Sequence, residues 1–215
     1  MFVTAASSNH FRSAKQFIRS LNGAPVIFYD IGLSETEVEE IKHMTVEYRL
    51  FDWSTVPSWG ALTAPNAGSY LWKPIIIHTL FKENYEMIIW CDAGNKISDR
   101  LALENYVRHI RLYTPLASGT VQRWCHTTCL DGMNVTEEER KYPIRNAAII
   151  GFIASDPAVK QLVEDWKMYS LKEELISGSR DNHRHDQSIL SCLFYRYKRA
   201  CTSVYVGLSI HNDCD

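Results

Sequence analysis

The sequence predicts a single α/β domain built on a mostly parallel sheet with helices on both faces. Three observations carry that expectation. Short apolar runs alternate with helical-period patterns through the opening half of the chain. The length, 215 residues, buries a sizeable core as one domain. No repeat or low-complexity linker divides it, so one domain spans residues 1–215.

Phe2 to Ala6 is an apolar run ending in small residues, which suits a buried strand. Ser7-Ser8-Asn9 can cap the next helix, where Phe11, Ala14, Phe17, Ile18 and Leu21 recur at helical spacing and Asn22-Gly23 stops it. Pro25 to Tyr29 is a second strand ending at Asp30. Ser34-Glu35-Thr36-Glu37 has the form of a capping box and opens a helix through about His43. Val46 to Phe51 is a third strand. Residues 53–69 hold Pro57, Gly60, Pro65, Asn66 and Gly68 and read as a loop. Trp72 to Phe81 is a helix with Pro74 in its first turn, where proline is tolerated. Met87 to Cys91 is a buried strand terminated by Asp92-Ala93-Gly94-Asn95.

The second half is less regular. Residues 117–145 are polar and loop-like, and 146–153 is an apolar strand. Asp156-Pro157 starts a helix with the apolar face Val159, Leu162, Val163 and Trp166. Residues 177–186 read as a polar loop, Ile189 to Tyr197 as a helix, and Val204 to Val206 as a short strand.

The formal charge of −2 gives no basic footprint for nucleic acid. No segment has the ~18 apolar residues that span a bilayer. The first residues lack a basic, then apolar, leader pattern. A soluble chain is expected, either cytoplasmic or a module cut from something larger. Six cysteines without dense spacing favour free thiols in a reducing compartment. Cys125-His126-x-x-Cys129 lacks a second ligand pair at familiar spacing, which disfavours structural zinc.

Ligands of open α/β sheets bind at the carboxyl ends of strands. Ala6-Ser7-Ser8-Asn9, Asp30 and Asp92-Ala93-Gly94-Asn95 occupy such ends. The first lacks the glycines of a dinucleotide loop and the lysine of a P-loop. Asp92 has two readings: a turn-forming residue before glycine, or a hard-metal ligand that bridges diphosphate oxygens.

The strand ending in Asp92, after the helix that begins Tyr70-Leu71-Trp72-Lys73, resembles the GT-A glycosyltransferases, whose central strand ends in Asp-x-Asp. Arg145-Asn146-Ala147-Ala148-Ile149-Ile150 resembles the Phe-Asn-Ala-Gly-Val strand of the retaining branch that includes glycogenin and bacterial lipooligosaccharide galactosyltransferases. His185-Asp186-Gln187-Ser188-Ile189-Leu190 resembles that branch's Asp-Gln-Asp-Ile-Leu-Asn segment. The likeness covers about residues 1–200. Asp-Ala-Gly in place of Asp-x-Asp is similar to a group of glycosyltransferase-like proteins with modules in large algal viruses, some fused to other transferases. A viral source would put the chain in the host cytoplasm.

The resemblance implies a GT-A (nucleotide-diphospho-sugar transferase) fold and metal-assisted transfer of a hexose-type sugar from a UDP-sugar donor to a glycan or glycoprotein acceptor, with retention. It implies that Ala5, Ala6, Ser7 and Asn9 approach the base and ribose, joined by Asp30. Lys73 assists the diphosphate, where a cation stabilises leaving-group charge; its plain reading is a surface charge. Asn146 and Ala147 face the sugar. Asp186 and Gln187 line the reacting centre, although Asp186 also suits a helix cap. Gly94 stands where the family has its second Asp. Mn²⁺ or Mg²⁺ would therefore rest on Asp92, with Asn95, and on a distant His. His211 is the candidate, Asp213 a less favoured one.

His183 and His185 are read either as phosphate or acceptor contacts or as parts of a mobile loop. Arg123 and Trp124 are candidate sugar contacts. Two other readings stay open. One is a non-catalytic glycan-binding module on the same fold. The other is an inverting transferase, which needs a carboxylate base at Asp131 or Asp181.

Overall fold

The structure is a computed structural model that describes residues 1–197 and 204–214. The first strand, β1 (Phe2–Ser7), leads through a short 3-10 turn, Ser8–His10, into α1 (Phe11–Ser20). Then follow β2 (Val26–Gly32), α2 (Glu35–Lys42) and β3 (Glu47–Leu50). A long connection containing the short turn α3 (Pro65–Ser69) reaches α4 (Trp72–Leu80) and the central strand β4 (Met87–Cys91). The second half runs β5 (Lys96–Ile97), α5 (Arg100–Ile110), β6 (Leu112–Tyr113), β7 (Leu116–Thr120), α6 (Val121–Trp124), α7 (Thr127–Gly132), β8 (Pro143–Arg145) and β9 (Ile149–Ile153). It closes with α8 (Pro157–Ser170), α9 (Glu173–Ile176), α10 (Asp186–Arg196) and β10 (Leu208–Ser209).

Among the described residues the main sheet has the order β3-β2-β1-β4-β9-β6. The first four strands are parallel, as the sequence leads one to expect. β9 breaks the pattern and runs antiparallel to both β4 and β6. Strand side chains alternate between faces, and the sheet accordingly divides the core. Val3, Ala5, Ile88 and Trp90 join one apolar cluster with α4, α8 and α10. Phe2, Ala6, Ile89 and Cys91 join the other, with α1 and α5. No helix among the described residues is long and apolar enough to cross a membrane.

Three local expectations are corrected. Ser7-Ser8-Asn9 does not cap α1; it forms the 3-10 turn, with the Ser7 hydroxyl donating to Asn9 Oδ1 at 2.5 Å. The strand expected at 146–153 begins only at Ile149, because Asn146 folds its side chain back to accept from the Ala148 amide. Near the C-terminus the strand is Leu208–Ser209 rather than 204–206, and it pairs with Ile97 and Lys96.

Chain direction reverses across the sheet between β1, which leads outward to β2, and β4, which lies on the other side. Such a switch point leaves a crevice beyond the strand ends. The connection before α4 closes one wall. Asn66, Ala67 and Gly68 all take left-handed angles there, and Tyr70 continues them with φ 59°. Only a glycine fits at 68: an added Cβ would stand 1.9 Å from the Gly60 carbonyl oxygen.

Candidate active site

Two cavities meet beyond the ends of β1 and β4. The outer cleft, about 640 Å³, is floored by Ala5, Ala6, Ser7 and Asn9, with Leu62 and Ala67 on the opposite wall. The inner pocket, about 440 Å³, is lined by Lys73, Asn146, Ala147, Asp186, Gln187 and Trp124 among others. Tyr70, Asp92, Ala148, Arg180 and His211 line both. The candidates for donor, metal and reacting centre, Asp30 excepted, therefore gather around one continuous depression, while Arg123, His183, Asp131 and Asp181 line neither cavity.

Asp30 is taken up by the fold. It is buried; its Oδ1 accepts from the Gly32 and Leu33 amides, both at 2.8 Å, and its Oδ2 from the Tyr48 hydroxyl at 2.8 Å. It fixes the turn after β2 and has no place against a ribose. Asn95 lines the outer cleft at the turn after β4. It is buried, and its amide donates to the Ala148 carbonyl at 2.7 Å, bracing the turn after β4. The Asp92 amide donates to the same carbonyl at 2.8 Å, so Ala148 fixes both residues.

Alternation places Asp92 on the same face as Trp90, whose indole donates to Asp92 Oδ1 at 2.7 Å. Lys73 rises from the first turn of α4 beneath the same carboxylate. The sequence suggests a surface charge or a phosphate contact, yet Lys73 is 3% exposed. Its ammonium lies 3.0 Å from Asp92 Oδ1, 3.3 Å from Asp186 Oδ2 and 3.2 Å from the Ala147 carbonyl oxygen. One buried cation is thus shared by two carboxylates.

Burial works to lower the Lys73 pKa, but the attraction of Asp186 and Asp92 outweighs it and keeps the ammonium charged. Asp186 shows the other side of the balance. Burial and the nearby Asp92 charge outweigh Lys73 and push its carboxyl up to about 6. Asp186 Oδ2 is buried and accepts no hydrogen bond, since Lys73 lies off the bonding direction. A buried, unsatisfied carboxylate oxygen is costly and calls for a functional account. Asp92, by contrast, keeps a side chain 40% exposed to the cleft, with only Oδ1 engaged.

Gln187 turns Oε1 toward the Ala147 amide at 3.3 Å. Asn146 is held at both ends: Oδ1 accepts from Ala148, and Nδ2 donates to the Tyr205 hydroxyl at 2.9 Å. The loop at 177–186 is exposed over 178–182, as its composition implies, but its last part turns inward. His183 and His185 are both buried, and burial lowers both pKa values, His183 to about 3, so both rings are neutral. His185 Nδ1 sits 3.1 Å from the Ile176 carbonyl oxygen, which fixes that nitrogen as the donor and leaves Nε2 a buried acceptor without a partner. A left-handed φ of 54° at His185 turns the chain at this point. The two histidines are two residues apart, and that spacing on an extended segment was the available sign of a shared face.

His126 is bound up locally: Nδ1 accepts from the Cys129 amide at 3.0 Å and Nε2 meets the Ser177 carbonyl oxygen at 2.9 Å. The Trp124 ring carries the Arg184 guanidinium at 3.7 Å and that of Arg123 at 4.4 Å, so a sugar would compete with them for its faces. Cys91, Cys125, Cys129 and Cys192 are buried free thiols, with Cys214 less enclosed; Cys201 lies outside the described residues.

Among the described residues no three His, Cys, Asp or Glu side chains are grouped tightly enough to hold an ion by themselves. Asp92 and His211 nevertheless border the same cleft. A Cβ at Gly94 would stand 2.3 Å from Asp213 Oδ1 and 2.8 Å from its Cγ, so a carboxylate fills the space of the missing side chain. The donor set, two carboxylates and an imidazole, suits a divalent ion that completes its shell with diphosphate oxygens.

The family described as "Protein of unknown function (DUF1647)" matches residues 1–78. No curated protein sequence matches the chain. The fold is that of GT-A glycosyltransferases. It is similar to the bifunctional glycosyltransferase WbbM, with a TM-score of 0.59 and 14% identity over 94% of this chain. It is similar to the galactosyltransferase LgtC, solved with donor and acceptor sugar analogs, with a TM-score of 0.57 and 16% identity over 98% of this chain and 86% of that one. Mouse xyloside xylosyltransferase 1 gives 0.53 and 10% over 94% of this chain and 84% of that one. The chain spans 38% of the length of WbbM.

Proposed function

We propose that this chain is a metal-assisted glycosyltransferase that moves a hexose-type sugar from a UDP-sugar donor to a glycan or glycoprotein acceptor with retention. The observation that carries the reading is the buried Asp186 carboxylate, which lines the inner pocket and is paired with Lys73 where the two cavities join. The glycosyltransferase fold of the similar structures supports it.

In this reading the nucleotide lies in the outer cleft along β1, on Ala5, Ala6, Ser7 and Asn9, and the sugar enters the inner pocket. A divalent ion at Asp92 and His211 would supply charge that eases departure of the diphosphate. Lys73 acts as a positioning group: its ammonium holds the Asp92 and Asp186 carboxylates in place. As the bond from the anomeric carbon to diphosphate oxygen breaks, its electron pair leaves with the diphosphate. Positive charge then develops on the sugar ring, and the negative charge of the Asp186 carboxylate in the pocket wall stabilises it. The acceptor oxygen bonds to the same carbon from the departing side and its proton passes to the diphosphate. Gln187 and His185 Nε2 offer hydrogen bonds to sugar hydroxyls.

The inverting alternative loses ground. Asp131 pairs with Arg140 on the surface at 2.7 Å, and the Asp181 carboxylate accepts from the Ser179 hydroxyl at 3.1 Å. Neither lines the inner pocket.

The test is UDP release from a panel of UDP-hexoses with MnCl₂, followed by anomer analysis of the product. Metal-dependent donor turnover is expected and should vanish in Asp92→Ala with the fold intact. Full activity of that variant removes the metal assignment. UDP binding without any turnover, by hydrolysis or transfer, identifies a binding module instead.

A further inference from the structure

The C-terminal segment folds back over the turn after β4, and its attachment is specific. β10 pairs with β5, the Asn212 amide donates to the Gly94 carbonyl at 2.7 Å, and Gln16 donates to the Asn212 carbonyl at 2.9 Å. Two residues further, the Cys214 amide donates to the Ser13 hydroxyl at 2.9 Å. These bonds bracket Asp213 on both sides. Its carboxylate is pressed into the space above Gly94: Oδ1, Cγ and Oδ2 lie 2.3, 2.8 and 2.9 Å from where a Cβ at position 94 would be. It accepts no hydrogen bond among the described residues; the nearest cation is His10 Nδ1 at 3.8 Å, longer than a bond. His211, two residues earlier, holds φ at 57°, a conformation disfavoured for its side chain. A half-exposed carboxylate thus stands at the mouth of the cleft, over the one position where a side chain would exclude it.

We infer that Asp213 supplies in trans-sequence the carboxylate that Gly94 lacks, so that the ion beside the diphosphate is held by Asp92, His211 and Asp213. The inference rests on the proposed metal-assisted reading. Glycine at 94 and aspartate at 213 form a reciprocal pair: either position can provide the carboxylate, but not both together. The ligands are not grouped in the structure as it stands. Ion binding is therefore coupled to the diphosphate: its oxygens would share the cation, and the cation's charge would draw the tail carboxylate in.

Mn²⁺ binding, read from loss of the free-ion EPR signal with UDP present, tests this without turnover. Asp213→Asn should weaken Mn²⁺ at least ~10-fold while UDP binding in EDTA and the melting temperature stay unchanged. Gly94→Asp alone should also weaken it, because its side chain collides with Asp213. The double variant Gly94→Asp/Asp213→Gly should recover affinity. Wild-type Mn²⁺ affinity in Asp213→Asn overturns the tail assignment and leaves the proposed function standing. An equal loss of UDP binding in EDTA, or a double variant no better than Gly94→Asp, also overturns it, since the tail would then act as a brace. Absence of UDP-dependent Mn²⁺ binding in the wild type overturns both the tail assignment and the metal-assisted reading.

Discussion

The outer cleft and the inner pocket share a border but are made of different material. Along β1, β2 and the connection before α4 the cleft is walled by small side chains, Ala5, Ala6, Ser7, Gly32 and Ala67, with Tyr70, Trp72, Asp92 and Arg180 on its other sides. The inner pocket is walled by fixed charge and neutral imidazole: Lys73, Asp186, Arg184 and His185. A wall of small side chains recognises shape and hydrogen-bonding edges, and few single truncations can damage it. A wall of buried charges depends on every member, because removing one leaves its partners unpaired in a low dielectric. Sensitivity to mutation should therefore be concentrated in the inner pocket.

The largest expected effect is Lys73→Met. It leaves Asp92 and Asp186 without their shared cation and should cost ~3–5 kcal/mol of stability at neutral pH. Its pH dependence identifies the cause. With Lys73 gone, the Asp186 pKa lies further above its unfolded value. Stability is then complete below the ordinary carboxyl range of about 4 and falls as pH rises through the folded value. Urea unfolding at pH 5 and pH 8 should show a smaller deficit at pH 5. A deficit independent of pH would mean that the lysine stem, not the charge, supports the core, and the contrast between the two cavities would weaken.

Next comes Asp186→Asn, which keeps the shape of the inner pocket and removes its buried carboxylate. Loss of the charge that stabilises the sugar ring should lower kcat by ~10²–10³. In the wild type the rate should rise as pH increases through about 6, where Asp186 ionises. That acid limb should be missing from the residual activity of the variant. The linked stability change has the opposite sense: a pKa raised to about 6 means that the wild type loses stability as pH rises from about 4 through that value. Asp186→Asn should lack that decline. A kcat within twofold of wild type would move the reacting centre away from Asp186.

The same contrast explains what was legible in the sequence. The strands and helices of the opening half declare themselves by local period, and Asp92 stands out because it directly follows a buried strand. Lys73 is harder to read. Its partners come from β4 and α10, distant in the chain, and nothing local distinguishes a first-turn lysine that is buried from one that is solvated. Asp30 misleads for the converse reason. It occupies a strand end, where ligands bind, but its side chain is consumed by turn amides and the Tyr48 hydroxyl. The loop holding His183 and His185 reads as solvated because composition does not show that neighbouring backbone groups, such as the Ile176 carbonyl, receive the rings. Tyr70, Leu62 and Ala67 reach the cleft only through the left-handed path of their connection, which no period encodes.

That connection supplies the smallest prediction. Ala67 lines the outer cleft with φ 51° and ψ 48°. An L-residue with a Cβ pays ~1–2 kcal/mol for this region, whereas glycine enters it freely. Glycine also has more freedom to lose on folding, which offsets part of the gain. Ala67→Gly should therefore stabilise the protein by ~0.5–1 kcal/mol, a rise of ~1–4 °C in Tm at this chain length. UDP affinity should change little, since the substitution removes one methyl from a wall of small side chains. A fall in stability would show that the methyl contributes more through packing against the cleft than its backbone angles cost. The outer wall would then depend on its side chains as the inner one does.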